Sequence, residues 1–443
     1  MTKNDTALLH PKDKHRPSNG LGSARQIVRL ILADYQGPVA VRLWNGERVF
    51  GDDRARCTLV FRHPAPFRHL ILHQDIVRLG EAYLAGDLDW EGDMEALFDL
   101  VEYLRTYRPG WSDKLRVLGL AVRLPQHGHE DGLDGLRASR AMHNNSQASI
   151  ARHYDVSNDF YRLWLDARMV YSCAYFRDRD QALDQAQADK LDYICRKLRL
   201  APGQRFLDIG CGWGALVTWA ARHYGVQAHG ITLSKEQYEY AREKVREMDL
   251  EKQVTIELRD YRELAGEALY DRIASVGMFE HVGIDRFPVY FGTVRRVLKP
   301  GGLFLNHGIT NDTGWRETPI SAFVNRYVFP DGELTNISAV CEAMEQAGFE
   351  IIDVEGLRRH YALTLRRWIE RLRARKEQAV ALVGEPVYRL WYLYMSGSAY
   401  YFEQGSLGIY QVLAGHRYCA PPLPLRRDFL YTTTAKGTAK GTE

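Results

Sequence analysis

Four residues in one short stretch have the types and spacing for ligand chemistry. In RFLDIGCGWGAL (205–216), Asp208 ends an apolar run and glycines follow at 210, 212 and 214 before an apolar helical run to Tyr224. The pattern reads as strand, tight glycine turn and helix. Such a turn lets backbone approach a ligand closely and offers the free N–H groups of a helix start. Dinucleotide-binding folds use a similar triplet, so the turn alone does not decide the ligand. A dinucleotide site wants an acid at the end of the second strand to hold a ribose. Here that strand, Val226 to Ile231, runs into Thr232, Leu233 and Ser234 with no acid. Two further polar residues, Glu280 and His307, each follow the carboxyl end of an expected strand, where ligands gather in open α/β sheets. A buried Glu there must have partners, because an unpaired buried charge is costly.

The elements that must position these residues are legible. After the glycine turn the strands read VTIELRDY (254–261), DRIASVGMFEHVG (271–283) and LKPGGLFLNHGIT (298–310), with helical stretches between them. This alternation predicts a mostly parallel sheet. KPGG before the last of them suits a tight turn. AYYFEQGSLGIYQVL (399–413) reads as two strands about Gly405 that close the sheet.

In these residues the chain resembles the class I S-adenosylmethionine-dependent methyltransferases, and within them the cyclopropane-fatty-acid synthase family. The resemblance is carried by HYDVSNDFYRLWLD (153–166), MVYSCAYF (169–176), LDIGCGWG (207–214), GITLSKEQ (230–237), MFEHVG (278–283), FLNHGIT (304–310), NRYVFPDGEL (325–334) and HYALTLRRW (360–368), in order over more than two hundred residues. It implies an α/β fold: a Rossmann-like methyltransferase domain with a mostly parallel seven-stranded sheet, preceded by a small N-terminal α+β domain. It also implies S-adenosylmethionine as co-substrate, with Asp208, Gly210, Gly212 and Gly214 at its methionine end and ribose. Thr232, Leu233 and Gln237 match ribose and adenine contacts, and Asp260 and Tyr261 flank the adenine. Tyr171 and Ser172 match further cofactor contacts, and Val276 and Gly277 end the fourth strand under the sulfonium.

The chemistry implied is methylene addition across a cis double bond in a phospholipid acyl chain. An alkene is a weak neutral nucleophile. Its attack on a sulfonium methyl leaves a carbocation, and closing the ring requires loss of a proton. A base is needed and water must be excluded. The resemblance supplies the base as a bicarbonate ion held by Cys173, Glu280, His307, Tyr361 and the backbone N–H of Ile309. A carboxylate repels an anion, so Glu280 must either accept the bicarbonate proton or pair with His307 as imidazolium. Read alone, Cys173 is a small buried hydrophobe and Tyr361 a core aromatic. The alternatives are a fatty-acyl C-methyltransferase giving methyl-branched or methylene chains, a small-molecule methyltransferase, and a catalytically silent lipid- or cofactor-binding protein.

Composition sets the frame. The chain has 443 residues, with 45% hydrophobic and 26% charged, and its net charge is 59 − 56 = +3. That balance gives no reason to expect nucleic acid. No run of about 18 uncharged apolar residues predicts a membrane-spanning helix, and the polar N-terminus is no secretory signal. Cysteines at 57, 173, 195, 211, 341 and 419 form no CxxC pair, so no metal site is expected, and isolated thiols fit a reducing cytoplasm. The expected organisation is a disordered 1–22, a lipid- or membrane-associated domain over 23–124, a linker over 125–139, the catalytic domain over 140–420 and a low-complexity tail over 421–443. In the N-terminal domain 24–35 reads as a helix. VAVRLWNGERVF (39–50) reads as a hairpin with Asn45-Gly46 as a type I′ turn. CTLVF (57–61) reads as a third strand, and 66–85 and 93–107 as helical. Two stretches could meet lipid. WSDKLRVLGLAVRL (111–124) interleaves apolar and basic residues, and Arg358 to Lys376 holds eight Lys or Arg and one acid. Ordinary packing and a solvated face are the plainer readings of these two. The expected partners are phospholipid and the inner face of the cytoplasmic membrane, contacted peripherally by a cytoplasmic homodimer.

Overall fold

The computed structural model describes residues 20–73, 77–125, 157–314, 316–317, 319–329, 332–419 and 423–431. Residues 1–19 of the expected disordered start, 126–139 of the expected linker, 153–156 and 432–443 of the expected tail lie outside them; Leu21 and Gly22, expected disordered, begin the first helix, and Asp428–Leu430 of the expected tail form a short helical turn with Leu430 buried. The described residues form two compact units.

The first unit holds the chain up to residue 125 with Glu317–Tyr327 and Gly384–Gly397. Its elements are α1 (Leu21–Ile31), β1 (Val39–Arg42), β2 (Arg48–Phe50), β3 (Cys57–Phe61), α2 (Ala65–His73), α3 (Val77–Ala85), β4 (Leu88–Gly92), α4 (Glu95–Thr106) and α5 (Trp111–Val122). The strands form one sheet in the order β2-β1-β3-β4, antiparallel except for β1 and β3. β1 and β2 are the expected hairpin, but the turn differs. Gly46 N donates to Leu43 O at 2.8 Å and Leu43 N to Glu47 O at 2.9 Å, and only Gly46 has positive φ (89°). A type I′ turn needs positive φ at both central residues, so this is a type I turn closed by a left-handed glycine. β4, in GDLDWEG, went unread between two helical stretches. It pairs with β3 from Cys57↔Gly92 to Phe61↔Leu88.

The second unit contains α6 (Asn158–Arg162), α7 (Leu183–Lys197), β5 (Arg205–Ile209), α8 (Ala215–Tyr224), β6 (Gln227–Thr232), α9 (Lys235–Glu247), β7 (Val254–Leu258), β8 (Tyr270–Val276), α10 (Phe287–Val297) and β9 (Leu298–Asn311). After α11 (Pro319–Tyr327, in the first unit) come α12 (Ile337–Gln346), β10 (Phe349–Gly356), α13 (Arg358–Ala374), α14 (Lys376–Val383), α15 (Glu385–Gln404, in the first unit as far as Gly397) and β11 (Leu407–His416). The sheet has seven strands in the order β10-β11-β9-β8-β5-β6-β7. β7, β6, β5, β8 and β9 run parallel, and β11 enters antiparallel between β9 and β10. Leaving β5, the chain builds outward through β6 and β7, then returns to the other side of β5 with β8. That reversal makes the carboxyl end of β5 the crevice where ligands bind in such sheets. Two apolar layers clothe the sheet. One includes Phe206, Val217, Ala220 and Leu305, and the other Leu207, Ile273, Phe291 and Phe304. Alternation along β5 and β9 splits neighbouring residues between the two layers.

KPGG lies inside β9 as a local bulge. Tyr270 pairs with Leu298 and Arg272 with Leu303, so three extra residues are looped out on β9, and Gly301 has φ 75°. The expected two strands about Gly405 are corrected. Ala399 to Gln404 end α15, Gly405 stops it at φ 93°, and only 407–416 is strand. Aromatic AYYF favours a strand locally. Yet Tyr388, Trp391, Met395, Ala399 and Phe402 are buried at helical spacing, and that longer pattern prevails. In the basic stretch Arg358 to Lys376, five of the eight basic residues have partners within their own unit. Arg358 donates to Phe402 O and to Glu403 O, Arg366 pairs with Glu403, Arg367 reaches Glu370 and Arg179 O, Arg371 reaches Asp184 and Leu165 O, and Arg375 bonds Leu163 O. These guanidiniums clamp their own unit. Among the described residues no helix is long and apolar enough to cross a membrane.

Candidate active site

At the carboxyl ends of β5, β6 and β8 lies a cavity of about 150 Å³. Tyr171, Ser172, Asp208, Gly210, Gly212, Thr232, Leu233, Gln237, Asp260, Tyr261, Val276 and Gly277 all line it. Gly214 does not; it sits one step behind, as the left-handed residue (φ 84°) before α8, where a Cβ would stand 3.0 Å from that of Ala241. Gly212 differs from both other glycines. Its φ is +54°, and a Cβ there would meet nothing within 4 Å, whereas one at Gly210 would meet Met278 at 3.0 Å. The space beside Gly212 is therefore room for a ligand. The turn is held to β6 by Gly210 N and Cys211 N, both donating to Ile231 O at 2.9 Å.

The neutral end of β6 is built as a unit. Ser234 caps α9 by accepting from Gln237 N, and Thr232 Oγ1 donates to Gln237 Oε1 at 2.9 Å. Asp260 accepts from the Arg262 backbone and guanidinium. Burial works against its charge, but Arg262 holds its carboxyl below the ordinary range. The described part of SNDFYRLWLD covers the glycine turn. Trp213, in the cavity wall, donates Nε1–H to Asn158 Oδ1 at 2.7 Å, and Phe160, Tyr161 and Trp164 are buried beside it.

One residue of this cavity was missed by sequence reasoning. Lys190 on α7 lines it, is 2% exposed, and donates to Ser172 Oγ at 2.9 Å. Among the described residues it makes no ion pair. Burial pulls its pKa down to about 8, against the attraction of Asp166 and Asp208. Asp208 is 3% exposed, and its Oδ1 has no hydrogen-bond partner. Burial raises its carboxyl to about 7 despite Lys190. A buried cation and a buried carboxylate that attract each other without a direct ion pair suit a ligand that carries both charges, as the amino-acid end of S-adenosylmethionine does. The open space at Gly212 and the uncharged β6 end fit its remaining parts.

A second set of residues sits one layer further along the sheet. Glu280, in the turn after β8, accepts from Ile309 N at 2.7 Å through Oε1, while its Oε2 is buried and unbonded. Gly308 makes this approach possible, because a Cβ there would meet the Phe279 ring at 1.9 Å and the Glu280 carboxyl carbon at 3.0 Å. Burial lifts the Glu280 carboxyl to about 7, although the Ile309 N–H opposes the shift. His307 is 1% exposed. Its Nδ1 lies 3.3 Å from Gln411 Nε2, directly across β9 and β11, and its Nε2 is unbonded. Burial first, then Lys190 and Lys197, push its pKa well below the usual imidazole value. Burial thus favours a neutral His307, against the pairing of Glu280 with an imidazolium. Cys173 Sγ lies 3.3 Å from Ala174 O and 3.9 Å from Leu357 O, and burial raises its thiol. Tyr361 N also donates to Leu357 O, and its ring packs edge-on to Trp368 and against Phe402. Leu357 N in turn bonds Ile409 O, and Ile409 faces Ile309 in the sheet. The structure therefore joins Glu280 directly to Ile309, and Cys173 to Tyr361 through Leu357. None of these five lines the cofactor cavity.

A glycine turn at the sheet's reversal, a neutral second-strand end and a twofold-charged cavity define an S-adenosylmethionine-dependent methyltransferase. The sequence profile of the mycolic acid cyclopropane synthetase family matches residues 141–412, and a second profile, described only as a domain of unknown function, matches 27–104. The chain is 40% identical over 399 residues to a probable fatty acid methyltransferase of Pseudomonas putida, covering 89% of this chain and 96% of that one. It is 37% identical over 351 residues to the cyclopropane-fatty-acyl-phospholipid synthase of Escherichia coli, covering 77% and 84%. The crystal structure of the mycolic acid cyclopropane synthase CmaA1 with SAH and CTAB is similar with a TM-score of 0.58 and 36% identity, over 61% of this chain and 98% of that one. The chain belongs to the cyclopropane synthase family of S-adenosylmethionine-dependent enzymes.

Proposed function

We propose that this enzyme adds a methylene group across the cis double bond of an unsaturated phospholipid acyl chain, forming a cyclopropane ring. The observation that carries this reading is Glu280: a buried carboxylate with one oxygen unbonded and a proton affinity raised to about 7. Ring closure releases a proton in a site that must exclude water, and Glu280 Oε2 can hold it. S-adenosylmethionine, when bound, supplies an electrophilic methyl on sulfur. Asp208, Lys190 and the glycine turn hold its amino-acid end, and Thr232, Leu233 and Gln237 its ribose and adenine.

Bicarbonate fits the second set in part. Its O–H suits the unbonded oxygen of Glu280, and an acceptor oxygen suits His307 Nε2, which carries the proton when Gln411 donates to Nδ1. When bound, it would supply a base beside the substrate. The Ile309 N–H, expected on the ion, is engaged by Glu280 instead, and the Cys173 thiol by a carbonyl. Of the expected five, Glu280 and His307 each keep an unbonded buried polar atom for the ion. The reading further includes the division into a lipid-associated domain over 23–124 and a catalytic domain over 140–420, peripheral action at the cytoplasmic membrane, and a homodimer.

Methyl addition without ring closure is the second reading, favoured by the name of the Pseudomonas putida relative. The test is incubation with S-adenosylmethionine and unsaturated phospholipid in carbon-dioxide-depleted buffer, with and without bicarbonate. Gas chromatography with mass spectrometry of the acyl chains should give a ring product that rises with bicarbonate. A methylene or methyl-branched chain as sole product would replace the first reading by the second.

A further inference from the structure

Helix α5 is apolar on two opposite faces. At about 100° per residue, Val117, Leu120, Ala121 and Leu124 fall on one side, and all four are buried. Trp111, Leu115, Leu118 and Val122 fall within about 60° of one another on the other side, and they are 82%, 67%, 39% and 62% exposed. The buried face packs on α1 and α2, and Arg68 Nη1 secures the helix end at the carbonyls of Ala121, Val122 and Leu124. The fold needs that face only. Twelve large apolar side chains are exposed among the described residues, and four of them line up on this one helix. Single exposed leucines are ordinary, but an aligned row is an interaction site.

The rim of the row is basic. Lys114 stands at one edge with its ammonium 5.4 Å from the Trp111 ring, and Arg116 and Arg123 stand at the other. All three are exposed, and Asp113, the helix's one acid, turns toward the buried side. Two copies of α5 laid face to face would bring these like charges together without an acid between them. An anionic lipid layer complements them, and Trp is the residue that settles at its boundary.

We propose that this face of α5 is the membrane-docking surface, seating Trp111, Leu115, Leu118 and Val122 at the headgroup–acyl boundary with Lys114, Arg116 and Arg123 on anionic headgroups. The proposal rests on the phospholipid reading above and names the element that reaches the lipid.

The experiment is sedimentation of the full chain with vesicles of phosphatidylcholine alone and of phosphatidylcholine mixed with phosphatidylglycerol. The Leu115→Glu/Leu118→Glu protein should bind both at least about tenfold more weakly, because two apolar side chains no longer leave water. The Lys114→Glu/Arg116→Glu/Arg123→Glu protein should lose only the preference for anionic vesicles, which added salt should also remove from the unaltered protein. Brominated acyl chains should quench a part of the fluorescence that is missing in Trp111→Phe. These residues are exposed, so affinity for S-adenosylhomocysteine should be unchanged in every variant. Vesicle binding equal to that of the unaltered protein in both multiple variants would overturn the proposal. So would a shift in their monomer–dimer equilibrium with lipid binding intact, which would assign the face to a second copy. Conversion of detergent-dispersed phospholipid tests the underlying reading separately: its absence in all proteins, with vesicle binding intact, would sink the phospholipid substrate and leave the docking face standing.

Discussion

Replacing Lys190 by Met should separate the two ends of the cofactor. The substitution keeps length and removes a charge that is 2% exposed and, among the described residues, donates to Ser172 Oγ at 2.9 Å. A charge-assisted hydrogen bond contributes about 1.5–3 kcal/mol, and removing one member of a buried pair costs about 3–5 kcal/mol. The freed Ser172 hydroxyl can still donate to a ligand carboxylate, so a loss of about 2–3 kcal/mol is expected, or roughly 30- to 150-fold weaker S-adenosylhomocysteine. Calorimetry with 5′-methylthioadenosine, which lacks the amino-acid end, should show no change. The ligand-free variant should melt no lower than the unaltered protein, since a desolvated cation has been removed. The pH dependence follows from the same pair. Above about 8 the free enzyme's Lys190 loses its proton, and below about 7 Asp208 gains one. Ligand affinity should therefore fall on both sides, by up to a factor of about ten per pH unit, and Lys190→Met should keep only the acid limb. Equal weakening of both ligands, or none of either, would refute the zwitterion-binding arrangement.

Glu280→Gln should lower product formation by about a hundredfold or more, corresponding to about 3 kcal/mol at a preorganised charged site, while calorimetry finds S-adenosylhomocysteine binding intact. The rate of the unaltered enzyme should fall as pH drops through about 7, where Glu280 takes up its proton, and the Glu280→Gln/His307→Gln losses should be strongly non-additive. Gly308→Ala should destabilise the fold by about 1–3 kcal/mol in a denaturation experiment and impair turnover, because its Cβ has no room beside Phe279 and Glu280. Gly212→Val should abolish cofactor binding in a protein that still folds: its left-handed backbone costs about 1–3 kcal/mol, and its side chain enters only the ligand's space.

The parts of the site that are backbone events were legible in the sequence. Asp208, Gly210, Gly212 and the neutral Thr232–Leu233 end follow from local order along the chain and line the cavity, and Glu280 follows β8 as expected, whereas His307, expected after a strand, lies inside β9, which runs on to Asn311. Lys190 was not legible. In LDQAQADKLDY it looks like any polar helix position, and only packing against Ser172 and Asp208 makes it a buried cation. The engagement of Ile309 N–H by Glu280 was hidden for the same reason: it depends on Gly308 letting two elements close. Aromatic-rich 399–404 misled because local strand preference is weaker than a buried helical period five residues deep. Partners of the α13 arginines were not legible either, because composition counts charges and not the carbonyls and carboxylates of the same unit that several of them reach. On α5 the sequence pattern held both readings, and the structure assigns one face to packing while leaving the other exposed.

The central claim is tested most directly by expressing the chain in a bacterial host that makes no modified fatty acids and analysing its phospholipid acyl chains by mass spectrometry. The account predicts unsaturated chains enlarged by one CH₂ that resist catalytic hydrogenation, and their loss in the Glu280→Gln strain. Enlarged chains that take up hydrogen, or branched chains that form equally well without the Glu280 carboxylate, would contradict it.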